Sequence, residues 1–169
     1  MRDFVKYFFS PKKYTPVLLA WSDDFKKRLI FEYFVVVIFF LIAVQFILEN
    51  FKAAEVLQST IGLLMLSGFL YKLQLYNASK NPTHKNSSFL DIFFFITLNQ
   101  IYVLSFAFLA WIFIRDGLNE FCTNLVIIYL MFVTTRSLSI VLEMSYWKTF
   151  FYILAFNIAV NRIFELIPF

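Results

Sequence analysis

Long apolar stretches, separated by short polar runs, set the pattern of this 169-residue chain. Stretches of about twenty residues each predict α-helices at about 29–48, 56–76, 89–114, 124–142 and 149–167. A helix of about 20 residues is about 30 Å long, which matches the hydrocarbon core of a bilayer. The pattern therefore predicts an all-α fold, a polytopic transmembrane helix bundle with about five spans over residues 29–169.

One short turn separates the last two predicted helices. Residues 124–167 are too long for a single crossing, and the polar run 143–148 is the natural place to divide them. Ser145 is suited to the N-cap position of the last helix, because its hydroxyl can accept a backbone hydrogen bond there. Trp147 and Lys148 suit a membrane interface.

The first 28 residues predict a separate basic and amphipathic segment. Phe4 and Phe8 lie one helical turn apart, whereas Pro11 and Pro16 are expected to interrupt the helix. Two interpretations stay open: short pieces lying on an anionic leaflet, or an ordinary basic flank that sets orientation. In the first interpretation the side chains that contact lipid are Lys6, Lys12, Lys13, Lys26, Lys27 and Arg28.

The composition agrees with a membrane protein. Hydrophobic residues make up 61% of the chain and charged residues 15%, against about 25% charged in soluble domains. A water-soluble core cannot hide so much apolar surface, so a bilayer is expected to be part of the solvent. There are 25 Phe but only 3 Gly and 4 Pro, and this bias is typical of an AT-rich genome.

Positively charged residues predict the orientation of the spans. Residues 1–28 carry seven Lys and Arg side chains, whereas residues 49–55 carry only Lys52. Such residues are enriched in loops on the inner side of a membrane. We therefore expect the N-terminus inside and the C-terminus outside, in a bacterial or mitochondrial inner membrane.

Arg136 is the most notable charge within a predicted span. It lies about 10 Å from the turn at Glu143, so its side chain can reach the inner interface. Glu32 and Glu143 are its candidate partners. Charges at membrane depth are costly and often functional, so an ion or proton pathway is one interpretation. We favour the structural one, an interhelical ion pair or a contact with lipid phosphate.

Polar residues on the last predicted helix form a stripe. Asn157, Asn161 and Glu165 recur every four residues and share one face, and Arg162 can pair with Glu165. The stripe could line a polar pathway, but a helix–helix seam held by amide hydrogen bonds is preferred. In the third predicted helix, Asn99 and Gln100 offer the same two interpretations.

Candidate catalytic and metal-binding patterns are missing from the sequence. One histidine, His84, and one cysteine, Cys122, leave too few ligands for haem, zinc, copper or an internal disulfide framework. No nucleophile elbow, phosphate loop or metal-binding helix motif is present. We therefore expect no enzyme activity and no cofactor, although bound lipids are compatible with this composition. Nucleic acid is not an expected partner, because an anionic leaflet is nearer to the basic segment.

Short stretches of the chain resemble the Yip1-like membrane proteins. Residues 8–13 resemble the aromatic–Pro–basic stretch before the first span of bacterial members, and residues 88–91 the opening of their third span. Residues 145–149 resemble the turn before their last helix, and the layout of five spans is similar. The proline usual in the third or fourth span and most glycines are missing. The resemblance implies a part in membrane organisation or trafficking and carries over no functional residues.

These observations lead to three functional hypotheses. The first is a non-catalytic structural or assembly subunit of a larger membrane complex, energy-converting or transporting. The second is a stand-alone Yip1-like organiser that forms homo-oligomers. The third is an ion or small-solute pathway using Arg136 or the stripe on the last helix. The expected partners are membrane lipids, together with other integral membrane subunits or further copies of the chain.

Overall fold

A computed structural model of the chain shows only helices, joined by short turns, among the residues it describes, which confirms the all-α prediction. The structure describes the backbone of residues 2–47, 53–80, 87–113 and 118–166, and the side chains of 3–39, 61–80, 87–102, 124–125 and 128–163. Two short helices precede five long ones. In chain order the helices are α1 (Arg2–Phe9), α2 (Pro11–Leu19), α3 (Asp23–Ile47), α4 (Ala53–Lys80), α5 (Phe89–Phe113), α6 (Leu118–Val141) and α7 (Tyr146–Leu166).

The long helices overlap the segments that hydropathy predicts, but α3 and α6 start earlier. α3 begins at Asp23 rather than at 29, and α6 begins at Leu118 rather than at 124. Polar first turns explain the difference, because the apolar pattern does not count them. In α3 the carboxylates of Asp23 and Asp24 occupy the first turn, where the positive end of the helix dipole stabilises them.

α5 lies at the centre of the bundle and packs against α3, α4 and α6. Every residue from 92 to 99 is buried. A helix buried on all sides is apolar all round, and consecutive residues such as Phe93, Phe94 and Phe95 meet that requirement. α7 packs against α6 and α4 and completes the bundle.

A reciprocal pair of hydrogen bonds fixes the start of α5. The Asp91 N–H donates to Ser88 Oγ at 3.1 Å, and the Ser88 N–H donates to Asp91 Oδ2 at 3.1 Å. This is a capping box, in which the N-cap residue and the third helical residue satisfy each other's backbone donors. The second carboxylate oxygen of Asp91 accepts a hydrogen bond from Lys26 Nζ at 2.6 Å. One carboxylate therefore caps α5 and ties it to α3.

The turn between α6 and α7 is tight. Glu143 has a φ of 51°, in the left-handed region that favours glycine. The Met144 N–H donates to the Ser139 carbonyl at 2.9 Å, and the Glu143 N–H to the Ile140 carbonyl at 3.3 Å. These two bonds form a Schellman motif and end α6. The Lys148 N–H then donates to Ser145 Oγ at 3.4 Å, which confirms Ser145 as the N-cap of α7.

Within the described ranges, no single helix is at once long enough and apolar enough to cross a membrane. Ile128–Val141 and Tyr146–Ile163 meet these requirements of length and composition only as a pair, and they are bent by 117° at the turn between them.

α1 and α2 form a short hairpin with its bend at Ser10. Pro11 stands at the start of α2, where its missing N–H costs nothing. Pro16 lies inside α2, so the predicted interruption at Pro16 is wrong. Proline removes the donor to the carbonyl four residues before it, here that of Lys12. Lys12 is exposed, so water can replace that donor.

Candidate functional site

Tyr7 anchors α1 in the bundle. Its side chain is fully buried, and its hydroxyl lies 2.6 Å from Ser137 Oγ on α6 and 3.3 Å from Asn99 Oδ1 on α5. Ser137 Oγ donates its own proton to the Val133 carbonyl at 2.8 Å, so Tyr7 is the donor in this cluster. Burial raises the pKa of the Tyr7 hydroxyl, which therefore keeps its proton at neutral pH.

Two tyrosines of the bundle hold the backbone of α1. The Tyr102 hydroxyl donates to the Phe4 carbonyl at 2.5 Å, and the Tyr129 hydroxyl donates to the Phe8 carbonyl at 2.7 Å. The Phe8 carbonyl is in the last turn of α1, where carbonyls lack partners within the helix. The Phe8 ring also packs against both tyrosine rings, with centroids 5.1 Å from Tyr102 and 5.0 Å from Tyr129.

The N-terminal hairpin is thus packed against the bundle, which neither sequence interpretation of residues 1–28 includes. The spacing of Phe4 and Phe8 indicates an apolar face, but it does not identify what covers that face. The sequence interpretation also did not include Tyr102 and Tyr129 as contacts of this segment. A buried phenol needs a hydrogen-bond partner, so tyrosines in otherwise apolar stretches are the signal that could have identified them.

A groove of about 810 Å³ separates the start of α2 from α6. Lys12 and Lys13 are exposed at the first turn of α2, and Arg136 projects half-buried from α6. No ion pair found among the described residues involves Arg136. The complete lining is Ser10, Pro11, Lys12, Lys13, Phe132, Arg136 and Tyr146, and we call this the basic groove.

Further positive charge stands beside the basic groove. Lys6 Nζ lies 5.6 Å and Lys13 Nζ 5.7 Å from the centre of the Tyr14 ring, so one aromatic ring contacts two ammonium groups. These ammonium groups add positive charge beside the groove, and such charge attracts anions.

The candidate partners of Arg136 lie elsewhere. Glu32 is exposed and accepts a hydrogen bond from Arg28 Nε at 2.8 Å, within α3. Glu143 is exposed at the turn and lines a second cavity of about 400 Å³. That cavity also contains Lys80 and Lys148 and lies between the end of α4 and the start of α7.

The six basic residues of the N-terminal segment do not share one environment. Lys26 is only 2% exposed, and its ammonium group contacts Asp91 and the Leu19 carbonyl. The structure therefore places Lys26 inside the protein and not on its surface, because the cap of α5 offers it a carboxylate. Lys27 is exposed and lies 3.9 Å from Asp24.

The amide residues divide into buried and exposed groups. Asn99 is 2% exposed, and its Nδ2 donates to the Phe95 carbonyl at 2.7 Å, whereas Gln100 is half-buried. Asn157 and Asn161 are both exposed on α7. Arg162 is exposed beside them, and the side chain of Glu165 lies outside the described residues.

Three contacts gather the ends of the long helices at one pole of the bundle. Lys26 Nζ joins Asp91 Oδ1 at 2.6 Å, and Ser87 Oγ donates to the Val141 carbonyl at 2.6 Å. Asn77 Nδ2 lies 3.5 Å from Met144 Sδ. Here α3, α5 and α7 begin and α4 and α6 end. We call this pole, with both cavities, the basic end.

Comparison with protein-family models, curated proteins and solved structures finds no significant match to this chain. The chemistry of the site is therefore interpreted from its own residues.

Proposed function

We propose that this chain is a non-catalytic integral membrane protein with a structural or assembly role in a larger membrane complex. Support for the membrane comes from the distribution of side chains. Ser67, Thr135 and Ser137 are fully buried, whereas Phe31 and Phe39 are each 69% exposed. Exposed large hydrophobic residues occur on every long helix in the described side chains, and water is a poor solvent for such a surface.

Helix length also supports a membrane location. The five long helices have between 21 residues, in α7, and 28 residues, in α4. About 20 residues are needed to cross the hydrocarbon core. The basic end gathers Lys12, Lys13 and Lys148 at one pole, and the positive-inside rule would place this pole on the inner side.

The exposed amides of α7 carry the proposal that this protein has a partner in the membrane. Asn157 lies about 16 Å from the start of α7, close to the middle of a bilayer about 30 Å thick. Asn161 follows one turn later, and both are exposed. Amides facing lipid are costly, whereas amides facing another helix form hydrogen bonds. A partner helix on this face of α7 would give both side chains partners.

A paired substitution tests the partner. We expect Asn157→Leu with Asn161→Leu to release the protein from its native complex, as measured by native gel electrophoresis after mild detergent extraction. The matched control is Asn124→Leu, because Asn124 is also exposed but lies on α6. The control variant is expected to stay in the complex. A wild-type protein that migrates as a single monomer would overturn the proposal.

The composition of the same purified complex distinguishes an assembly subunit from a stand-alone organiser. Other integral membrane subunits in the complex would support the role of an assembly subunit. A complex that contains only this chain would instead support the Yip1-like organiser, with the α7 face joining two copies. Mass spectrometry of the excised complex distinguishes the two outcomes.

A further inference from the structure

We infer that the basic groove binds the phosphate of an anionic membrane lipid, and that one acyl chain of this lipid lies along α6. The inference rests on the proposed membrane location and adds a ligand to it. Its polar part rests on Lys12, Lys13 and Arg136, which line one groove. Its apolar part rests on the exposed face of α6 that starts at Phe132.

The charges of the groove are complementary to a phosphate. Arg136 offers a planar group of donors suited to phosphate oxygens, and the two lysines supply point charges. The hydroxyl-bearing residues Ser10 and Tyr146 also line the groove and can donate to ester or phosphate oxygens. The groove lies at the positive end of the α2 dipole, which adds to the attraction for an anion.

An apolar track on α6 leads away from the groove. Phe132, Ile128 and Leu125 are spaced by four and three residues, so they share one face, and they are 47%, 65% and 51% exposed. The rise from Arg136 to Leu125 is about 16 Å, close to one leaflet of about 15 Å. A charged groove at one end of an apolar track of this length is complementary to a phospholipid. A free phosphate would occupy only the groove.

The geometry also explains why Arg136 lies where it does. A half-buried guanidinium in an apolar helix is costly unless an anion compensates it. The carboxylate of Glu32 accepts a hydrogen bond from Arg28 on α3 and does not compensate the charge of Arg136. The lipid phosphate supplies the compensating charge from outside the chain.

Lipid titration followed by native mass spectrometry tests the site on the full-length protein in detergent. The probes are dioleoyl phosphatidylglycerol, dioleoyl phosphatidylcholine and glycerol phosphate. We expect phosphatidylglycerol to bind at least about tenfold more tightly than phosphatidylcholine, because the choline headgroup cancels the phosphate charge. Binding of glycerol phosphate as tight as that of phosphatidylglycerol would overturn the lipid in favour of a free phosphate. Equal binding of the two lipids would overturn the site.

Variants assign the preference to the groove. Arg136→Gln is expected to remove most of the tenfold preference, and Arg136→Lys to keep part of it. The double variant Lys12→Gln with Lys13→Gln should also weaken the preference for phosphatidylglycerol. The control is Lys27→Gln with Lys72→Gln, which removes the same charge from exposed positions and should leave the preference unchanged. If a thermal melt shows that Arg136→Gln is misfolded, the test rests on the double variant Lys12→Gln with Lys13→Gln. An unchanged preference in that pair would contradict the inference.

One further variant tests the apolar track. Ile128→Gln is expected to weaken the binding of phosphatidylglycerol several-fold and to leave the binding of glycerol phosphate unchanged, because only the acyl chain contacts Ile128. No effect on phosphatidylglycerol would overturn the acyl track. Alkaline carbonate extraction is measured in parallel. Release from the membrane would contradict the proposed function itself, whereas a retained protein without lipid preference contradicts only the site.

Discussion

Asp91 shows how much one side chain can contribute at the residue scale. Its two oxygens serve different elements, because Oδ2 accepts from Ser88 and Oδ1 accepts from Lys26. The side chain of Lys26 is 3% exposed and that of Asp91 is 15% exposed. Removal of the Asp91 charge leaves the buried Lys26 ammonium with the Leu19 carbonyl at 2.8 Å and with Asp23 Oδ1 at 3.8 Å, and the Asp23 side chain is 67% exposed and therefore a weaker partner.

Asp91→Asn is therefore expected to destabilise the protein by about 3 kcal/mol. The asparagine keeps an oxygen that can cap α5, so the loss reports the charge and not the cap. Unfolding in detergent with increasing denaturant measures the change. Glu32→Gln is the control, since it breaks an exposed pair with Arg28 and should cost no more than about 0.5 kcal/mol. Equal losses in the two variants would contradict the role assigned to Asp91.

Residue-scale features differ in how far the sequence predicts them. The N-cap at Ser145 follows from its position before an apolar run, and the structure confirms it. The pair of Lys26 and Asp91 joins residues 65 apart in the chain, and no local pattern indicates such a contact. The positive φ of Glu143 was also unpredictable, because glycine is the residue expected there.

At the element scale, the docking of α1 depends on hydrogen bonds that a helix prediction does not contain. Tyr7→Phe keeps the ring but removes the single hydroxyl proton available to Ser137 Oγ at 2.6 Å and Asn99 Oδ1 at 3.3 Å. We expect a loss of about 1–3 kcal/mol, since a buried acceptor without a partner costs its full desolvation. The measurement is denaturant unfolding combined with limited trypsin digestion at Lys12 and Lys13, which reports release of the hairpin from the bundle.

The matched control for this element is Tyr76→Phe. Tyr76 is 56% exposed, and its ring stays available to Lys80, whose Nζ lies 4.4 Å from the ring centre. This variant should change neither the stability nor the digestion. Unaltered digestion of Tyr7→Phe would show that the hydroxyl does not hold the hairpin in place.

At the scale of the whole molecule, the basic end predicts a single orientation. In a Cys122→Ser background, single cysteines at Ser22, Ser79 and Lys148 should react with a membrane-impermeant maleimide only from the inner side. A cysteine at position 50, in the segment between α3 and α4, should react only from the outer side. If the cysteines at positions 22 and 50 were labelled from the same side, α3 could not cross the membrane.

Hydropathy predicts where the long helices lie, because that pattern depends on local composition. It does not predict which helix is central, since α5 and its neighbours are all strongly apolar. The burial of residues 92–99 is a property of the assembled bundle. Asn157 and Asn161 of the predicted stripe are exposed in the structure, and this exposure also depends on the assembled bundle and not on local sequence.

The docking of the hairpin also has a consequence for the order of biosynthesis. Tyr7 and Ser137 are 130 residues apart, so α1 is among the first parts made and its binding place among the last. At about 5–20 residues per second, the interval between them is on the order of ten seconds. During that time we expect the apolar face of α1 to be covered by the bilayer surface or by a chaperone.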